Sequence, residues 1–293
     1  MKILFMFTMT IFSLNAMSAD PMPKDPIKLP NKYKIMEKNE VVKDTTLVSK
    51  KHQLKPISVF DHQHTNWQQI LAKYVIKKEF SSQFKYKELK QDTSLLDKYL
   101  NELSHVSLKE FNSWSQNQQM AFLINAYNAF TVKLIIDNYP VKSIKKIGGF
   151  FTSPWKKEFF TLLEDKRNLD WIEHEELRKK YSEPRIHFAV NCASIGCPAL
   201  RNEAFNAENL DKQLEEQTRI FLLDSSRNYI KGDTLNVSKI FDWFEEDFEK
   251  NGQSVQSFVA QYITQNTMLQ NKLKNKQFKV RYTSYDWNLN EAR

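Results

Sequence analysis

The chain has 293 residues and a formal charge of +8, and 41% of it is hydrophobic, including 21 Phe, 11 Tyr and 6 Trp. That much aromatic surface can build a large core, which excludes a disordered or fibrous protein. Five glycines, with no GxGxxG and no GxxxxGK[ST], exclude a glycine-rich phosphate loop.

Met1 and Lys2 precede an apolar run from Ile3 to Leu14, and small residues follow at Ala16, Ser18 and Ala19. This is the pattern of a secretory signal peptide over residues 1–19, too short in its apolar part to span a bilayer. Its removal takes away Lys2 and no acid and leaves +7. No later stretch reaches 18 apolar residues in a row, so no transmembrane segment is expected in the mature chain, which is expected to be secreted or periplasmic. The basic balance is modest and forms no single stripe. It suits an anionic envelope surface and sets nucleic acid aside. Residues 20–60 contain five of the nine prolines with few aromatics, the composition of a flexible arm or linker. The globular domain is placed at 61–293.

Apolar residues at helical spacing predict helices over Trp67–Val75 and Leu95–Leu103. Ser107 with Glu110 has the form of a capping box for a short helix through Trp114. Ser115 with Gln118 opens the longest helix, which runs to Tyr139 where Pro140 stops it. Its middle, Met120 to Ile136, is apolar nearly all round, as in a helix buried on several sides. A lysine-rich loop follows over 141–157, then a short helix over 169–181. Arg185–Asn191, RIHFAVN, alternates as a strand does. A helix over 208–223, a hairpin over Tyr229–Val237 with Gly232-Asp233 at its turn, a helix capped by Ser238, a helix over Val255–Ile263 and a closing strand within Phe278–Trp287 complete the chain. The fold class is α+β: a helix-rich single domain with a central buried helix packed on a small, mostly antiparallel sheet.

Asn125, Tyr127 and Asn128 lie in the middle of the buried helix, where an unpaired amide would cost about 1–3 kcal/mol. Polar partners must therefore face them. On a strand, Arg185, His187 and Asn191 would share one face. The turn Cys192–Pro198, with Ser194 and other small residues, would bring backbone N–H groups to the same point. Cys197 as nucleophile, His187 as base and Asn125 or Asn128 as the group that orients the imidazole form one catalytic reading. Tyr127, Asn128, Arg185, Asn191 and Ser194 are then candidate ligand-binding residues. The other reading joins Cys192 and Cys197 in a disulfide and makes the amides structural. CxxxxC is not the CxxC spacing of a redox pair, and two cysteines with His187 match no zinc pattern, so neither a metal nor another cofactor is expected.

These residues sit in blocks that resemble the DUF547 family: AFLINAYNAFTVKLI, YPVKSIKKIG, SPWKKEFF, LDWIEHEELRKKY, PRIHFAVNCASIGCPAL, SKIFDWF and YTSYDWNLN. The likeness runs from about Trp67 to Asn290. It implies an uncharacterised secreted or periplasmic bacterial protein and the extent of its domain. The central helix followed by a His-bearing strand is also similar to the core of papain-like and transglutaminase-like folds, except that no cysteine opens the helix. Whether the protein is an enzyme stays open at this point. A cysteine-dependent hydrolase or acyltransferase acting on a peptide-like or acyl ligand stands beside a non-catalytic, envelope-associated binding module with a structural disulfide.

Overall fold

The computed structural model describes residues 59–148 and 152–292. The expected signal peptide and nearly all of the expected arm lie outside them, as does the middle of the lysine-rich loop. The described residues form one compact unit.

The architecture is α+β, with helices around one long central helix and three small sheets at the margins. The central helix is Gln116–Asn138, and both halves of its capping box form between Ser115 and Gln118. Tyr139 is extended ahead of Pro140, where the proline ring disfavours helical backbone. Because its apolar residues point all round, the helix is enclosed on every side from Met120 to Val132, and helix Ser94–Ser104 and segment Trp171–Leu177 pack against it. It is long and apolar enough to cross a membrane, yet it forms the core of this domain.

Helix Thr65–Tyr74, hairpin Val75–Lys77 with Ser82–Phe84, and helix Leu108–Ser113 complete the first half. Ser107 accepts the Glu110 N–H at 3.1 Å, as its spacing suggested. The expected hairpin is present as Tyr229–Lys231 with Thr234–Val237, turning at Gly232 with φ +60°. The closing strand Lys279–Tyr282 adds to it in parallel. Phe188, Phe221, Phe241, Phe248 and Phe258 form a second apolar cluster beneath this sheet. Helix Thr267–Lys274 was not anticipated.

The strand expected at Arg185–Asn191 does not form. Pro184–Phe188 is a 3-10 helix, with the Glu183 carboxylate accepting the Arg185 N–H at 3.1 Å. A local side-chain acceptor and a proline at the start favour the turn over a strand with no partner. Beyond the helix, the chain is held by the C-terminal segment: Ile195 and Gly196 donate to Asn288 and Asp286, and Asn290 donates to Ala193.

One core feature gives a pH test. His64 is 1% exposed, and its Nδ1 lies 2.7 Å from the Tyr99 hydroxyl. Burial pushes its pKa from 6.5 down to about 3, against the pull of Asp61. The unfolded chain therefore binds a proton that the folded chain refuses. The stabilising contribution is complete above about pH 6.5 and is lost as pH falls towards 3, at about 1.4 kcal/mol per pH unit. Asn tolerates the left-handed backbone at this position, φ 50°, and does not titrate. Urea unfolding of His64→Asn should show a shallower loss of stability between pH 6 and pH 4, by roughly that slope. Parallel pH profiles for the variant and the parent would disprove it.

Candidate functional site

One amide of the central helix, that of Asn128, holds the cysteine turn in place. Asn128 donates to the Ala189 carbonyl at 3.0 Å and accepts the Asn191 N–H at 2.8 Å. Asn125 donates to Phe205 O at 2.7 Å and accepts Phe205 N–H at 3.0 Å, so its partner lies beyond the turn. Asn191 in turn spans the loop, donating to Pro198 O at 2.7 Å and accepting Ala193 N–H at 2.8 Å. Ala193 sits at φ 61°, a strained position for a side chain that this bond supports. Ser194 is buried, and its backbone bridges to Leu289. These four polar residues are structural clamps, and none lines the cleft described below.

Arg185 is likewise elsewhere. It pairs with Glu183 and Asp211 at 2.6 and 2.7 Å, on the rim of a different groove. The shared polar face expected from strand periodicity is absent because the segment has no two-residue period. Asp242 pairs with Lys239.

Cys192 and Cys197 are joined as a disulfide. The Cys197 sulfur also accepts the Cys192 N–H at 2.9 Å and the Tyr285 hydroxyl at 3.1 Å. Gly196 is required where Tyr285 presses on the turn, since a Cβ there would stand 2.9 Å from the ring and from the Asp286 nitrogen. In the disulfide form Cys197 carries no thiol. A nucleophilic role for it requires that bond to be opened.

The cysteines line a cleft of about 210 Å³ together with His187 and Tyr127. Further polar lining comes from Ser153, from Tyr285, and from Asp170, Glu173 and His174, the last three spaced to share one helix face in a stretch where Trp171–Leu177 is wound as a π-helix. Such windings recur at functional sites. Trp155, Trp243, Phe244 and Trp287 supply aromatic walls.

His187 is the best-defined group in the cleft. Its Nε2 lies 2.8 Å from Asp247 Oδ2, its ring stacks on Phe244 at 4.0 Å, and its Nδ1 has no hydrogen-bond partner. Burial pushes its pKa below the ordinary imidazole value, against the pull of Asp247 and Glu173. The neutral ring therefore donates Nε2–H to Asp247 and keeps a lone pair on Nδ1. Burial tends to raise the Asp247 carboxyl, but His187, Arg178 and Lys250 outweigh it and hold it well below the usual carboxylate range. Burial, and then the Glu173 carboxylate beside it, push the Tyr127 hydroxyl well above its ordinary value.

Of the residues singled out in the sequence, Tyr127, His187 and Cys197 line the cleft, whereas Asn125, Asn128, Arg185, Asn191 and Ser194 do not, although the Ser194 carbonyl accepts the Cys197 N–H at 3.1 Å. Sequence reasoning missed Asp247, Glu173 and Tyr285. The group orienting His187 is a carboxylate rather than a helix amide. No group of three or more His, Cys, Asp or Glu among the described residues is placed to hold a metal ion.

No curated protein and no solved structure matches the chain. A family model does: residues 111–222, less than half of the chain, match DUF547, described as a protein of unknown function, and this stretch carries Tyr127, Glu173, His187 and both cysteines but not Asp247 or Tyr285.

Proposed function

We propose that the protein is a cysteine-dependent acyl hydrolase or acyltransferase whose working form has the Cys192–Cys197 bond reduced. The observation that carries this reading is the His187 ring, fixed by Asp247 at 2.8 Å, lining the same cleft as Cys197. Nucleophile, base and orienting acid are the parts a thiol mechanism needs. A dithiol opens the disulfide, leaving two protein thiols and becoming a disulfide itself. His187 Nδ1 then takes the Cys197 proton, and the thiolate attacks the acyl carbonyl carbon. The leaving group departs with the proton from His187. Water or an amine cleaves the thioester and returns the thiol. The Cys192 N–H and the Tyr285 hydroxyl, both directed at Cys197 Sγ, stabilise its thiolate. A peptide-like or acyl ligand goes with this reading, and in a secreted or periplasmic setting, where disulfides persist, the working form needs a dithiol reductant.

The closed disulfide favours a second reading, a non-catalytic envelope module with an aromatic binding cleft. One experiment separates the two. After treatment with a dithiol under native conditions, two thiols are expected, with Cys197 reacting with iodoacetamide at pH 7 about tenfold faster than in His187→Gln. An ordinary thiol is only a few per cent thiolate there, and part of the gain is offset by lower nucleophilicity. A folded protein whose disulfide resists the dithiol, or a Cys197 indifferent to His187, would overturn the enzyme reading and leave the binding module.

A further inference from the structure

We infer that the cleft recognises a ligand through a primary ammonium group, held by the Glu173 carboxylate among the aromatic walls. The inference deepens the thiol reading by naming a class of substrate, an amine-bearing peptide or acyl acceptor, and rests on it only for what happens after binding.

Among the acids in and around the cleft, Glu173 is the buried one without a counter-ion. Asp247 is matched by Arg178, by Lys250 at 2.9 Å and by the His187 N–H. Asp170 stands 3.5 Å from His174 Nε2. Arg178 is engaged by Asp247, Glu246 and His174. Glu173 is 8% exposed, and among the described residues no Lys, Arg or His nitrogen lies within 4.0 Å of its oxygens. Its neighbour is the neutral Tyr127 hydroxyl. A buried carboxylate without a cation favours a ligand that brings one.

The walls suit the same guest. Trp287 lies 5.7 Å from Trp155 and 5.5 Å from Trp243, so the three indoles form one connected surface. Indole faces attract ammonium groups, and Trp287 already carries the Lys145 ammonium at 4.6 Å from its ring centre. An anionic ligand would meet Glu173 unscreened.

The test uses the oxidised full-length protein, in which no thiol chemistry can intrude. Its tryptophan fluorescence is titrated with n-butylammonium, n-butanol and butyrate. Saturable binding is expected for n-butylammonium alone, weakened about tenfold or more by Glu173→Gln and severalfold by Trp243→Ala. Trp243 is 41% exposed, so its removal does not threaten the core and keeps the test decisive should Glu173→Gln fold poorly. Equal binding of n-butanol, binding of butyrate, or indifference to both substitutions would overturn the inference. Because this binding is read on the disulfide form, it stands or falls separately from the thiol reactivity of Cys197.

Discussion

Asp247→Ala is expected to cost about 3–5 kcal/mol of stability, the range for breaking a buried ion pair by removing one partner. The Asp247 carboxylate is 7% exposed and takes bonds from three elements: the Arg178 guanidinium, the Lys250 ammonium at 2.9 Å and the His187 ring at 2.8 Å. Alanine leaves the Arg178 charge with only exposed Glu246 for compensation and leaves His187, already unpaired at Nδ1, without a partner on either nitrogen. Asp247→Asn keeps the volume and one acceptor and should lose about half as much. The pH dependence follows from the lowered carboxyl. A group whose folded pKa lies below its unfolded value of 3.8 contributes fully above that value and loses its contribution as pH falls through the folded one. The gap between parent and Asp247→Asn, measured by urea unfolding, should therefore be constant from pH 5 upward and narrow below about pH 4. A loss under 1 kcal/mol for Asp247→Ala would show that Arg178 and His187 find other partners.

The contrast between what local pattern revealed and what it missed is physical. The central helix was legible because its capping box, its apolar middle and its terminating proline are all encoded within 25 residues of one another. The Ser107 cap and the Gly232 hairpin were legible for the same reason. The 3-10 helix over Pro184–Phe188 was misread because two polar residues in alternation imitate a strand. In the fold, Arg185 turns outward to Glu183 and Asp211, while His187 turns inward to Asp247. Sequence can state that a buried Asn must find a partner, but not which one. Asn125 pairs with backbone 80 residues away, and any backbone there offers the same groups. The carboxylate behind His187 was hidden among Asp242, Glu245, Glu246 and Glu249, which are chemically alike. Only burial separates Asp247 from them, and burial is a tertiary property. Glu173 was hidden in the same way, in a stretch expected as a short helix and found to be wound as a π-helix against the core.

Truncating the central amides should unfasten the site from the core in two distinguishable ways. Asn125 is 0% exposed and makes both of its bonds to the Phe205 backbone. Asn125→Ala removes both, strands a buried N–H and C=O, and leaves a small void, for an expected loss of about 2–5 kcal/mol. Asn128→Ala makes the same kind of loss, but its bonds run to Ala189 and Asn191, at the neck of the cysteine turn. The neck sets where Cys192 stands relative to the Tyr285 hydroxyl, 3.2 Å from its sulfur. Loosening it should expose the disulfide to a dithiol in the folded protein, whereas loosening Phe205 should not. Global stability should thus fall by similar amounts in the two variants, while reduction under native conditions speeds up severalfold in Asn128→Ala alone. Equal rates of reduction would mean that the turn is held from its C-terminal side, by Asp286 and Asn288, and that the central helix fixes only its position and not its exposure.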